Sequence, residues 1–179
     1  LRCTLGLADK FVVAYSGNLG RAHEFDTLLA AATQLRANAD VVFLMIGGGV
    51  KMQQLRRLVE AEGLANFRFL PYQPREVVRD ALAAADVHLA CLLPPLEGLI
   101  VPSKFYGILA AGRPAIFIGD TKGELARVID ACGCGMAVRT GDGDSLVAAI
   151  EKLRTDVQVR ADMGERARLH FIHHHTVEH

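Results

Sequence analysis

Apolar positions along the chain follow two spacings, short unbroken runs and stripes that recur every three or four residues. Phe11 to Tyr15 is apolar at every position, as a strand covered on both faces should be. Val41–Ile46, Phe67–Leu70, Val87–Leu92, Ala115–Ile118 and the short Gly135–Val138 follow as further strands. Between them lie helical patterns. Residues 24–37 carry Phe25, Leu28, Leu29 and Ala32 on one stripe, and a polar-faced helix runs from Lys51 to Glu62 and stops at Gly63. Pro74–Ala84, Pro102–Ala111 and 122–131 read as helices, Asp142 caps another that ends near Arg154, and a last one covers 156–170. Strands joined by helical crossovers predict an α/β fold, a doubly wound, Rossmann-like parallel sheet of about six strands. The chain reads as one domain over 1–179, with 1–9 a linker remnant, 156–179 a C-terminal helical tail, and no internal repeat.

Composition narrows the function. The 179 residues suffice for a full core; 51% are hydrophobic, 6% aromatic and none is Trp, which suits an α/β sandwich. Twenty basic residues balance twenty acidic ones, so no global field draws nucleic acid or an anionic membrane, and phosphate recognition must be local. Cys3, Cys91, Cys132 and Cys134 lack disulfide-framework spacing, and Cys132 with Cys134 has no second Cys/His pair at zinc spacing. Reduced thiols in a cytoplasmic protein are the expectation. No apolar run approaches the roughly 20 residues that span a bilayer. The chain opens Leu-Arg-Cys-Thr without initiator Met or signal peptide and reads as a fragment of a longer protein. His173-His174-His175 reads as a native helix end rather than a tag.

Ligands of open parallel sheets bind outside the carboxyl ends of the strands, and four loops at that edge carry unusual residues. After the first strand comes Ser16-Gly17-Asn18-Leu19-Gly20-Arg21-Ala22-His23, whose glycines allow close approach and whose Arg21 and His23 offer charge. Gly47-Gly48-Gly49 closes the second strand and suits either ligand approach or plain turn geometry. In Pro71-Tyr72-Gln73-Pro74, Tyr72 and Gln73 can flank a planar base or pack on the next helix. The fourth loop runs from Pro94 into a helix start where Pro102, Ser103 and Lys104 place free backbone N–H groups beside a cation, an arrangement that attracts phosphate. Gly112 and Pro114 end that helix. Glu124 opens a later helix, as a ribose contact or a dipole-favoured first-turn acid. His88 reads as a satisfied core histidine and Asp86 as strand punctuation.

A nicotinamide site is disfavoured. The first loop is G-x-x-G rather than G-x-G-x-x-G, and Asp40 precedes the second strand instead of closing it. A receiver-like module would need clustered acids after the first strand, where Ser and Gly stand.

Five segments together, Tyr15 to Gly20, Ile46 to Gly49, Phe69 to Tyr72, Ala85 to Val87, and Val101 to Lys104 with Ala110 to Pro114, resemble the C-terminal half of a retaining GT-B glycosyltransferase. The branch resembled is family 4, near enzymes of capsule, O-antigen and colanic acid synthesis, over residues 9–172. That resemblance implies a nucleotide-diphosphate-sugar donor, with Gly17, Asn18, Leu19, Gly20 and the Ser103–Lys104 helix start on the diphosphate. Tyr72 and Gln73 would lie near the base, and Gly47 and Gly48 would border the ligand as close-approach glycines. No cofactor or metal is implied, because Lys, Arg and helix dipoles neutralise the leaving diphosphate. Two glutamates common in the family fall at Leu99 and Gly107 here, so Glu97 is the candidate replacement. The family's basic pair falls at Asn18 and His23, which makes Arg21 and Lys104 the preferred phosphate cations; a partly protonated His23 would also fit. The implied parent carries an N-terminal acceptor domain absent from this chain, works on a saccharide or lipid-linked acceptor, and leaves room for peripheral contact with the inner face of the membrane. Without that domain this chain would bind a nucleotide and catalyse almost nothing. A GT-B-type sugar-nucleotide epimerase, with Glu97 and His23 as acid–base groups, and a non-catalytic nucleotide-binding module remain the alternatives.

Overall fold

The apolar run that begins at Phe11 becomes the middle of a sheet because no residue from Phe11 to Tyr15 is more than 7% exposed. The computed structural model describes residues 1–100 and 103–175. In chain order its elements are β1 (Phe11–Asn18), α1 (Asp26–Gln34), β2 (Val41–Gly48), α2 (Val50–Ala61), β3 (Phe67–Leu70), α3 (Val78–Ala83) and β4 (Val87–Cys91). The second half continues with α4 (Lys104–Ala110), β5 (Ala115–Gly119), α5 (Glu124–Cys132), β6 (Gly135–Arg139), α6 (Gly143–Thr155) and α7 (Val157–His175). The strands pair in parallel in the order β3-β2-β1-β4-β5-β6. This is the doubly wound sheet that the alternating pattern predicts. β1 therefore lies between β2 and β4, and the chain changes direction across the sheet after β3. The crevice that this switch opens at the carboxyl ends of β1 and β4 is where such sheets take ligands.

Two strands run further than their apolar residues indicate. Ser16, Gly17 and Asn18 extend β1, Gly47 and Gly48 extend β2, and Gly17 pairs with Gly47 in register. The helix expected over Pro74–Ala84 opens with a 3-10 turn at Arg75–Val77, which leaves α3 short. Asp142 caps α6 as expected, its carboxylate accepting the Ser145 N–H at 2.9 Å. Gly112, with φ of +63°, ends α4 in the left-handed conformation that the sequence called for.

α7 reaches His175, five residues past its expected end, because it docks on α4: the Tyr106 and His175 rings lie 4.7 Å apart. A Cβ on Gly164 would stand 2.5 Å from the Gly112 carbonyl oxygen, so small residues permit that docking. The first nine residues pack on the amino edge. Leu7 is buried, and Arg2 forms a 3.1 Å ion pair with Asp86, which also accepts the Val12 N–H. Among the described residues the four thiols are free, and no helix is long and apolar enough to cross a membrane.

Candidate functional site

The crevice at the switch point holds a cavity of about 480 Å³. β1 supplies Ser16, Gly17 and Asn18, the following turn His23, and β4 His88 and Leu89. α3 contributes Val78 and Leu82, and α4 with its preceding loop contributes Ile100, Ser103, Lys104, Gly107 and Ile108. One wall is thus apolar and the other polar, and the polar wall carries one cation.

That cation is Lys104. Its stem runs past Gly17, and its Nζ lies over the Tyr15 ring, 4.1 Å from the centroid. Nζ hydrogen-bonds the Tyr15 hydroxyl, stands 2.9 Å from His23 Nε2 and reaches the Asn18 carbonyl at 3.5 Å. The described ion pairs are Arg2–Asp86 and Arg154–Glu151, so no described carboxylate pairs with Lys104. Burial without a counter-charge brings its pKa down to about 8.

His23 is held from the other side. Its Nδ1 accepts the Gly20 N–H at 3.2 Å, and burial, followed by the Lys104 charge, lowers its pKa to about 4. The imidazole is therefore neutral beside Lys104, whereas the partly protonated His23 read from the sequence belongs to a site with a diphosphate against it. Tyr15 donates its O–H to the Asn18 carbonyl at 2.9 Å, and burial raises its pKa, so it remains a phenol. Its sequence position hid this role, because the run Phe11–Tyr15 reads wholly as core. A tyrosine at the carboxyl end of a buried strand, with a hydroxyl that needs a partner, was the available signal.

Several predicted residues fall elsewhere. Leu19 turns into the core: its side chain is 1% exposed, its N–H bonds the Gly48 carbonyl and its carbonyl accepts from the Lys51 N–H. Glu97 turns away from Lys104. Its Oε1 accepts the Leu125 N–H at 3.4 Å at the start of α5 and fills the space a side chain at Gly123 would need. Glu97 and Glu124 line a second cavity of about 310 Å³, with Tyr106 and His170, instead of the Lys104 cleft. Arg21 is exposed on its turn and has no hydrogen bond or ion pair to another described residue, so it makes no contact with Lys104.

Gly47, at φ +121°, packs its Cα on the Gly17 backbone and so serves strand approach. Gly48 lies under the Tyr72 ring, which is 61% exposed, and the Gln73 amide donates to the Pro71 carbonyl at 2.9 Å. Ser103 is exposed and precedes α4 without a side-chain cap bond, and Pro102 lies outside the described residues. His88 is a core histidine as expected, 1% exposed with Nε2 2.9 Å from the Leu82 carbonyl. Among the described residues no three His, Cys, Asp or Glu side chains are grouped to hold a metal.

Comparison with known proteins fits this geometry. The family model described as "Glycosyl transferases group 1" matches residues 5–170. The putative colanic acid biosynthesis glycosyl transferase WcaI of Escherichia coli (strain K12) is 29% identical over 154 residues, which are 85% of this chain and 38% of that protein. The probable glycosyltransferase WbjE of Pseudomonas aeruginosa is 31% identical over 144 residues, 80% of this chain and 36% of its own length. This chain therefore spans well under half of the curated relatives it matches. Among solved structures, Anabaena HepE in complex with UDP-glucose superposes with a TM-score of 0.79 at 20% identity, over 96% of this chain and 46% of that one. The C-terminal domain of LpcC, a group 1 family protein of Francisella tularensis, gives 0.78 at 14% identity, over 98% and 91%. At these identities both establish the fold alone, a Rossmann-like parallel α/β sheet of the kind found in GT-B glycosyltransferases.

Proposed function

The chain belongs to the glycosyl transferases group 1 family, and from that premise we propose that it is the donor-binding half of a glycosyltransferase and grips the diphosphate of a nucleotide sugar with Lys104. One observation carries the reading: at the switch point of the sheet stands a half-buried lysine with no described carboxylate partner. A buried cation without a counter-charge is costly, and an anion delivered by the ligand offsets that cost. The UDP-glucose bound in the HepE structure supports the ligand class. The base would lie toward Tyr72 and Gly48, and Gly17 and Gly20 would let backbone approach the phosphates. Arg21, exposed at the rim, would swing in as a second cation once an anion is present.

In the parent protein this half would face an N-terminal acceptor domain and transfer a sugar to a saccharide or lipid-linked acceptor in surface polysaccharide synthesis, with retention, as in family 4. The role of Lys104 would be electrostatic. Negative charge grows on the leaving diphosphate in the transition state, and a Lys104 ammonium held against the phosphates stabilises it more than it stabilises the ground state. Neutralisation by side chains would leave no need for a metal. Epimerase chemistry finds less support, because the matching family and both curated relatives are described as glycosyltransferases, Glu97 lines another cavity, and the two ring nitrogens of His23 are taken by Gly20 and Lys104.

Calorimetric titration of the chain with uridine, guanosine and adenosine diphosphates and their sugar conjugates tests the proposal. It expects saturable one-to-one binding to one base class. The absence of heat with every member of the panel would overturn it.

A further inference from the structure

The hydrogen bonds around Lys104 have a consequence for its proton. The Gly20 N–H points at His23 Nδ1, so a neutral imidazole carries its hydrogen on Nε2, the nitrogen 2.9 Å from Lys104 Nζ. An N–H aimed at an ammonium sets donor against donor. A free amine resolves the conflict: its lone pair accepts from Nε2–H, and its two hydrogens go to the Tyr15 hydroxyl and the Asn18 carbonyl. The Tyr15 hydrogen is engaged by the Asn18 carbonyl, so that hydroxyl offers Lys104 only lone pairs.

We infer that the seat formed by Tyr15, Asn18 and His23 fits the neutral amine of Lys104, and that an arriving diphosphate completes the cation by drawing a proton from solvent onto Nζ. This deepens the donor-site reading above and rests on it. The ammonium then withdraws from His23 Nε2 toward the phosphate oxygens, and the imidazole keeps its hydrogen.

The surrounding groups agree. β4 presents Cys91, whose burial pushes its thiol up to about 11, and the buried neutral His88. α3 presents Val78 and Leu82 to the cleft. Glu24, on the same turn as His23, accepts the Thr27 N–H at 2.7 Å at the start of α1, and Glu97 is turned to α5. No described carboxylate pairs with the amine, and burial has already brought its pKa to about 8.

The coupling is measurable. If binding restores an ordinary lysine, uptake starting from a pKa of about 8 is about 0.1 proton per ligand at pH 7, about 0.5 at pH 8 and about 0.9 at pH 9. A nucleotide sugar serves as the probe, because its phosphodiesters do not titrate in this range. Calorimetry in buffers of different ionisation enthalpy reads the number directly. In His23→Gln the carboxamide oxygen can accept from an ammonium, and proton uptake per ligand bound at pH 8, measured at saturating ligand, should fall at least twofold. Separately, the Cε resonance of Lys104 in the ligand-free protein, assigned by its loss in Lys104→Arg, should titrate near pH 8. Tight binding with uptake below 0.1 at pH 8, equal uptake in His23→Gln, or a Lys104 resonance that titrates above 10 would each overturn the inference. Failure of all nucleotides to bind removes instead the donor-site reading, while the resonance still decides the state of the empty seat.

Discussion

Gly47 lies so close to Gly17 across the β1–β2 pair that a Cβ on Gly47 would stand 2.9 Å from the Gly17 carbonyl carbon. Gly47 also holds φ at +121°, a conformation that side chains disfavour. Overlap and backbone strain act together at Gly47, so Gly47→Ala should destabilise the fold by about 3 kcal/mol. Gly48→Ala meets only the exposed Tyr72 ring, 3.1 Å away, which can swing aside. It should cost under about 1 kcal/mol. Urea denaturation of the two variants checks the contrast, and equal losses would show that the close approach at Gly47 does not matter.

An unpaired half-buried lysine opposes stability and serves binding, so its removal should separate the two. Lys104→Met should leave the empty protein as stable as the parent or more so, since it trades a costly amine for an apolar group of similar length. The same change should weaken nucleoside diphosphate binding at least tenfold, one charge-assisted contact being worth about 1.5–3 kcal/mol. Arg21→Ala, at an exposed position, should weaken it less, by about two- to fivefold. Thermal melts and titrations of both variants decide; a Lys104→Met protein that melts early but binds normally would make the lysine structural.

His88 gives the fold an acid limit. Burial lowers its pKa from 6.5 to about 4 while Nε2 faces the Leu82 carbonyl. A depressed folded pKa means that the unfolded chain takes protons first. The stability is fully present above pH 6.5 and is lost as pH falls through about 4. The amount is on the order of 3 kcal/mol. Replacement by His88→Gln keeps a donor for the carbonyl but cannot titrate, so its stability should change less between pH 6.5 and 4. Denaturation midpoints across that window test it, and parallel curves for parent and variant would contradict it.

The fold, and the cleft that forms the candidate site, were legible in the sequence for a simple reason. Unbroken apolar runs such as Phe11–Tyr15 and Val41–Ile46 can be satisfied only by strands covered on both faces, and Gly63, Gly112 and Asp142 punctuate the helices by local backbone chemistry. Lys104 was legible too, as a cation at a helix start on the ligand edge. The direction of a long side chain was not. Glu97 looked available because it is the acid nearest Leu99 and Gly107, yet its Oε1 turns to the Leu125 N–H at the start of α5. Leu19 looked like loop and is core, because β1 and β2 run on past their apolar residues and fold its side chain inward. Tyr15 and His23 as neighbours of Lys104 depend on three segments meeting, which no local pattern encodes.

Tyr72 is the remaining element of the rim whose function can be isolated. Its ring is 61% exposed and lies over Gly48 at the carboxyl end of β2, a flat apolar face near the Lys104 cleft that no described side chain covers. A nucleobase stacked there would gain about 1–3 kcal/mol, the range for base–aromatic contacts. Inorganic pyrophosphate, which has no base, would gain nothing from it. Tyr72→Ala should therefore weaken uridine or guanosine diphosphate binding roughly fivefold or more and leave pyrophosphate binding unchanged, and Tyr72→Phe should retain both. The chain has no Trp, and of its three tyrosines Tyr72 is the most exposed, so ligand-induced change in tyrosine emission should come mainly from this ring and vanish in Tyr72→Ala. A variant that loses pyrophosphate and nucleotide affinity equally would place the ring on the diphosphate side of the ligand and move the base away from β2.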